Sequence, residues 1–411
     1  MKKLVAVLLS FMLVAVIFTG CKKTAAPADT GTAPAAGAKF HIGIITAGLS
    51  QNEDYLRGAQ VLEKEYGTVA NGGIFQSLTW PDNYAAEVET CIANIVGLCD
   101  DPLMKAIVLN TSVGGSTEAF KQVREKRPDI LIFAGVPQED PNVVDPWADV
   151  CVDVDMVSRG YLQIWAAKQM GAKNFVHISF ARHMSVELMS RRWAIMQEAG
   201  KDLGVKTYFE TAPDPVSDVG TAGAQQFMLE KTPAWIQKYG KDTAFFCTSD
   251  AETEPLLKQI MKYGGIFGEA DVPSPTLGYP GAFGIDLSAE QSDWPAIMKK
   301  VESVIVADGG SGRFGTWAYS FPYTTSAGLG EYAIRCIEGT AKVPNEQDLI
   351  SAFEKYTPGA AWHTIMYTDL NTNKTSSNHF LLYQDTYVFG KGYLGTTTMV
   401  TPEKYLTFKP K

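Results

Sequence analysis

Short apolar runs alternate with amphipathic helical segments from Phe40 onward, and this alternation limits the possible folds more than any other feature. The run FHIGIIT (40–46) leads through Ser50-Gln51-Asn52-Glu53 into a segment whose Tyr55, Ala59 and Leu62 share one helical face, ended by Gly67. The unit recurs as strand 74–80 and helix 84–98, strand 105–110 and helix 116–126, and strands 130–135 and 149–154. Continuous apolar strands are buried on both faces, which requires a mostly parallel sheet with helices on either side. A helix from Met156 ends at Gly171, and the alternation restarts: strand 174–180, helix 184–199, strand 206–212, helix 222–239, strand 243–249, helix 252–263. The expectation is two Rossmann-like α/β lobes, 40–171 and 172–340, with a hinge between them. A C-terminal part, 341–411, packs on both. Further on, a strand is expected at 279–285, helices at 294–307, 325–338 and 346–356, and a hairpin of 363–369 with 379–390 around Asn371-Thr372-Asn373-Lys374. A chain of 411 residues is too long for one core, in keeping with this division.

The first twenty-one residues are a different material. Lys2 and Lys3 precede an apolar run from Leu4 to Phe18, too short to span a bilayer, and Thr19-Gly20-Cys21 follows. The pattern reads as a signal peptide over 1–20. Its end resembles a bacterial lipobox, with Phe18 where Leu or Val is usual. The resemblance makes Cys21 the residue that receives acyl lipid such as palmitate; the alternative is a plain signal cleaved nearby. Residues 22–38 contain no aromatic and no aliphatic side chain larger than Ala, so they form a disordered tether, about 23 Å long on average. This is the layout of a lipoprotein anchored to the membrane and working outside the cytoplasm.

A net charge of −9, with no basic block longer than Lys22-Lys23, gives nucleic acid no electrostatic footprint. Beyond Cys21 the cysteines are Cys91, Cys99, Cys151, Cys247 and Cys336, an odd set at irregular spacing. Cys91 and Cys99 would sit about 12 Å apart along one helix, too far to bridge. They read as small apolar core residues, with one tertiary disulfide as the alternative. Gly310-Ser311-Gly312-Arg313-Phe314-Gly315 matches GxGxxG, but it follows a helix and enters a strand-like run, so it is a turn and not a dinucleotide loop. P-loop, HExxH and GxSxG motifs are missing from the sequence, and His41, His177, His183, His363 and His379 show no metal-ligand spacing. No cofactor is expected, and no enzyme activity.

The chain resembles the type 1 periplasmic binding proteins, two-lobed bacterial solute receptors. The resemblance rests on FHIGIITAGLS with the Arg57-Gly58-Ala59 helix, and on the crossover DVDMVSRGYLQIWAAKQMGAKNFVHIS (153–179). It covers about residues 40–340. As a whole the chain also resembles a family of uncharacterised bacterial lipoproteins. Independently of the resemblance, parallel α/β sheets bind ligands beyond the carboxyl ends of their strands. Those ends offer Ser50, Gln51, Asn52, Glu53, Trp80, Asn110, Thr111, Ser112 and Gly135 in the first lobe, Asp155 at the crossover, and Arg182, His183, Ser249 and Asp250 in the second. Capping of the following helices is the competing role for Ser50, Asn52 and Asn110 through Ser112. Arg182 is expected to pair with an acid, either Asp250 or the ligand.

Three functions fit this reading. The first is a lipid-anchored solute-binding protein that captures a small polar solute (sugar, nucleoside or amino-acid-like) and delivers it to an ABC-type permease. The second is a sensor passing its closed state to a membrane kinase or chemoreceptor, and the third, less favoured, a hydrolase on the same scaffold. A cytoplasmic repressor is opposed by the signal-like N-terminus. Substituting Cys21→Ser is expected to release the protein from the membrane fraction. Fractionation showing unchanged lipid-dependent anchoring would overturn the lipidation reading.

Overall fold

The computed structural model describes residues 37–409, so the signal peptide, Cys21 and the tether through residue 36 lie outside the described residues. The strands in chain order are β1 (His41–Thr46), β2 (Phe75–Thr79), β3 (Met104–Asn110), β4 (Leu131–Gly135), β5 (Val150–Val154), β6 (Asn174–Ser179), β7 (Lys206–Thr211) and β8 (Thr243–Cys247). Then come β9 (Gly315–Thr316), β10 (His363–Thr368), β11 (Thr375–Tyr383), β12 (Tyr387–Val388) and β13 (Gly392–Tyr393). The first sheet has the order β10-β11-β5-β4-β3-β1-β2, and only β10 runs antiparallel to its neighbour. The second has the parallel order β7-β6-β8, and isolated bridges carry it through Ile266 and Phe267 towards β9, where the short sheet β13-β12-β9 begins.

Period-two alternation sends the first sheet's side chains into two separate cores. Ile42, Ile44, Val108 and Phe133 join Tyr55, Ala59 and Leu62 of helix Glu53–Tyr66 on one face. Ile45, Ile107, Leu109 and Ile132 meet Cys91, Ile95 and Phe120 on the other. All five cysteines among the described residues are free, and Cys336 alone of them is only half-buried.

The chain passes between the lobes three times. It crosses first at Asp155, whose backbone N–H donates to Leu382 O at 2.8 Å, so helix Met156–Gln169 already packs in the second lobe against helix Glu187–Leu203. Helix Met156–Gln169, placed before the expected boundary at residue 171, thus packs on an element that follows that boundary. The second crossing precedes helix Phe321–Ile337, which packs on helix Glu53–Tyr66, β3 and β4 of the first lobe, although its position in the chain suggested the second. The third runs through Gln384-Asp385-Thr386. It splits the expected strand 379–390 between β11 in one sheet and β12 in another.

The expected hairpin forms as β10 and β11. The expected strand at 279–285 is instead the short helix Tyr279–Phe283, with Pro280 in its first turn, where a missing N–H costs nothing. Gly310–Gly315 is a turn leading into β9.

Helices Glu53–Tyr66 and Phe321–Ile337 touch backbone to backbone. A Cβ at Gly58 would stand 2.4 Å from Tyr323 O. Gly58→Ala must push these helices apart, and a loss of about 1–3 kcal/mol is expected from overpacking. Urea denaturation checks this, and an unchanged midpoint would count against the close approach.

Candidate functional site

The carboxyl ends of the first sheet face those of the second, and between them lies a cavity of about 60 Å³. That is several times the roughly 10–15 Å³ one water molecule needs. The first lobe supplies Gln51, Asn52, Tyr55, Trp80, Tyr84, Thr111 and Gln138 to its wall. The second supplies Phe180, Arg182, His183, Thr248, Ser249, Asp250 and Asp271. A larger groove of about 710 Å³, beside Arg57 and Trp294, lies off the strand ends and open to solvent.

Each wall residue is held by its local fold. Asn52, extended before helix Glu53–Tyr66, caps it by accepting from Asp54 N–H at 3.1 Å, while its Nδ2 donates to Asp250 Oδ2 across the cleft at 2.8 Å. It is therefore both a cap and a cleft residue, two roles that the sequence left as alternatives. Gln51 Nε2 donates to Thr221 Oγ1 at 3.1 Å. The Trp80 indole N–H donates to Thr111 O at 2.8 Å, which fixes the ring as a flat apolar wall. Arg182 forms a bidentate pair with Asp214 at 2.6 and 3.0 Å, donates to Gln138 Oε1 at 2.7 Å and lies over the rings of Phe180 and Tyr84. The acid it pairs with is thus Asp214, not Asp250. In the order β7-β6-β8, Arg182 follows β6 and turns towards the β7 side, whereas Asp250 follows β8.

Burial opposes the charge of Arg182, but the Asp214 pair outweighs it and holds the guanidinium above its ordinary range. Burial, and then the Arg182 charge, keep His183 well below the usual imidazole range, so the ring is neutral; its Nδ1 lies 3.1 Å from Thr248 Oγ1, itself 2.7 Å from Ser179 Oγ. Burial raises the Asp250 carboxyl well above the carboxylate range against the opposing Asn52 hydrogen bond. Asp250 Oδ1 is buried with no hydrogen-bond partner among the described residues.

Of the fourteen residues proposed from sequence, the fold brings Gln51, Asn52, Trp80, Thr111, Arg182, His183, Ser249 and Asp250 to the cavity. The other six lie elsewhere. Ser50 bonds Asp82 at the surface and Glu53 pairs with Arg57. Asn110 points beneath the wall to Ser326 Oγ, Gly135 packs so closely that a Cβ would sit 1.7 Å from Asn110 Oδ1, and Ser112 is buried with its N–H on Gly135 O. Asp155 caps helix Met156–Gln169 through Ser158 N–H.

Tyr84, Gln138 and Thr248 were missed although they lie within four residues of positions that were named. The loops reach further than the strand-end rule was carried. Asp271 and Val272 come from a segment without regular structure, which gave no signal.

Residues 40–315 match the family model described as "Protein of unknown function (DUF3798)", and the chain belongs to that family. A protein of Treponema pallidum (strain Nichols) is 39% identical over 213 residues, 52% of this chain and 96% of that protein, and a second from the same strain is 36% identical over 197 residues, 47% and 89%. Among solved structures, one described as a transcriptional regulator from Clostridium difficile 630 matches with a TM-score of 0.65 at 24% identity, covering 85% of this chain and 99% of that one. The substrate-binding protein of a sugar ABC transport system from Bordetella parapertussis 12822 matches with a TM-score of 0.53 at 12% identity, covering 91% and 94%. The fold is that of the type 1 periplasmic binding proteins, a scaffold shared by solute receptors and regulators. Among the described residues no helix is long and apolar enough to cross a membrane.

Glu252, two residues beyond Asp250, is buried with both carboxyl oxygens unpartnered, and burial raises it from 4.5 to about 8. Between those values the unfolded chain releases a proton that the folded chain keeps. Stability therefore falls as pH rises from 4.5 to 8 and levels off above. Glu252→Gln removes this penalty. It is expected to raise the melting temperature at pH 8.5 and to change it far less at pH 5, the difference reflecting roughly 3–5 kcal/mol. Equal shifts at both values would refute the buried neutral carboxyl.

Proposed function

We propose that the protein is an extracytoplasmic, lipid-anchored receptor that closes its two lobes on a small polar solute and hands it to an ABC-type permease. The observation that carries this reading is the convergence of polar side chains from both lobes upon one buried cavity. Three hydrogen bonds span it, Asn52 to Asp250, Gln51 to Thr221 and Arg182 to Gln138, and each requires the lobes to be together. Trp80 and Phe180 supply apolar walls, and Asp250 Oδ1 is a buried oxygen still without a partner. Aromatic walls with a few fixed polar groups suit a small polar ligand, and a space of about 60 Å³ takes one of sugar or nucleoside size only once the lobes move apart. Because Arg182 is already neutralised by Asp214, a free carboxylate on the ligand is less well served than hydroxyl or N–H groups. The family's fold supports solute binding in general, and the signal-like N-terminus favours a receptor over a cytoplasmic regulator.

Native mass spectrometry of the purified protein, followed by calorimetric titration of any retained molecule, tests the proposal. Asp250→Ala is expected to weaken that binding by about 1–3 kcal/mol, the usual range for leaving a buried hydrogen-bonding group unmatched. Asp214→Ala, behind Arg182, is expected to lower the melting temperature as well. Asp250→Ala with undiminished affinity would remove the cleft from the proposal.

A further inference from the structure

A second constellation lies at the amino end of β5, away from the cleft. Asp145 ends the short helix Pro141–Val144, Cys151 is the second residue of β5, and His379 stands beside Cys151 in the β11–β5 register. One ligand atom from each of the three lies within 4.8 Å of the others. His379 Nδ1 and Asp145 Oδ1 are 2.7 Å apart. Cys151 and His379 are fully buried, while the Asp145 side chain keeps 13% of its exposure and gives an approach from solvent. The loop is held in place by Asn378, whose Nδ2 donates to Asp145 O and Ala148 O at 2.9 Å each.

We propose that Asp145, Cys151 and His379 form a binding site for a divalent metal ion of zinc type. Sulfur, imidazole nitrogen and carboxylate oxygen together are a donor set that zinc accepts and that calcium or magnesium does not. On binding, the Cys151 S–H bond breaks, its proton leaves to solvent and a sulfur–metal bond forms; the proton between His379 Nδ1 and Asp145 Oδ1 is displaced at the same time, the neutral imidazole then carrying its one N–H at Nε2. Thiolate, carboxylate, neutral imidazole and a doubly charged ion then sum to zero charge, which a buried site tolerates far better than a lone ion. Zinc bonds of about 2.0–2.3 Å place tetrahedral ligands roughly 3.3–3.6 Å apart. The Asp145–His379 pair, now 2.7 Å apart, must open by roughly 0.6–0.9 Å, and any ligand atoms near the 4.8 Å limit must close by about 1 Å, movements that side-chain rotation at the helix end can supply. Three protein donors leave one position for water, reached on the Asp145 side.

The test uses the full chain carrying Cys21→Ser, freed of metal with a chelator and titrated with Co(II) and then Zn(II). One cobalt per chain, a thiolate-to-cobalt charge-transfer band, loss of the band on adding zinc and a raised melting temperature are expected. Cys151→Ser should abolish the band while keeping the native circular dichroism, and His379→Gln should weaken cobalt binding at least tenfold. If either variant fails to fold, the parent titration decides alone. A folded parent without the band overturns the site, and so does a band that persists in Cys151→Ser, since it would then arise at another cysteine. Neither result bears on the cleft.

Discussion

One buried carboxylate gathers all three crossings of the chain. Glu269 Oε1 accepts from Arg159 Nε at 2.8 Å and Gln163 Nε2 at 2.9 Å, both on the helix that follows the first crossing. Its Oε2 accepts from Trp317 Nε1 at 2.9 Å, before the second crossing, and from Thr386 Oγ1 at 3.1 Å, within the third. Arg159 Nη1 and Nη2 donate to the carbonyls of Asp271 and Ala270, and the guanidinium lies against the Trp317 ring. A buried pair with so many satisfied partners gives little net stability over an apolar packing, but losing one member costs about 3–5 kcal/mol because the other charge is stranded. What the pair supplies is register. It sets where three separate strands of chain leave the second lobe, and so where the first lobe sits.

The cleft inherits its geometry from that junction. Asp271, whose carbonyl is held by Arg159, also lines the cavity and pairs through Oδ1 with Arg192 at 2.5 Å. Arg192 is fully buried on helix Glu187–Leu203 and lies over Phe246, in the core behind the wall. Beside it, Asp54 Oδ2 accepts from Ser274, Thr276 and Ser320, which fastens the amino end of helix Glu53–Tyr66 to the segment running into the second lobe. Asn52 lies two residues before Asp54, so the capping residue that reaches Asp250 is placed by the same fastening. Local helix-start chemistry and the joining of the lobes are one structure here.

This explains which parts were legible in the sequence. Strand–helix alternation is local, and β1 through β8 with their helices follow it closely. The final hairpin was also readable, because Asn371 to Lys374 is a turn between two apolar runs. The destination of a segment was not readable. Helix Phe321–Ile337 is apolar enough for either lobe, and nothing in HFLLYQDTYVFG marks Gln384 to Thr386 as a passage between sheets, since both halves are strand-like. The cleft followed the same division. Gln51, Asn52, Trp80, Arg182 and Asp250 come from strand ends, where a topological rule applies. Asp271 reaches the cavity only because Arg159 and Glu269 hold its segment there. Asp145, Cys151 and His379 are separated by up to 234 residues and meet only because β11 enters the first sheet beside β5.

Some of the buried polar groups without partners lie where the lobes face each other. Asp250 Oδ1 and both oxygens of Glu252 are buried and unsatisfied, and each such group costs about 1–3 kcal/mol. The first sheet's interior, by contrast, is built from Ile, Val, Leu and Phe with few polar side chains. An unpartnered oxygen at the cleft wall, Asp250 Oδ1, leaves stability to be gained from a molecule that enters the cleft. On the proposed reading, a solute that hydrogen-bonds with Asp250 Oδ1 replaces a stranded oxygen with a hydrogen bond. It binds only the folded chain, so its binding free energy adds to the folding free energy. The same interaction would also favour the joined lobes, because Asp250 belongs to one lobe and its partner Asn52 to the other.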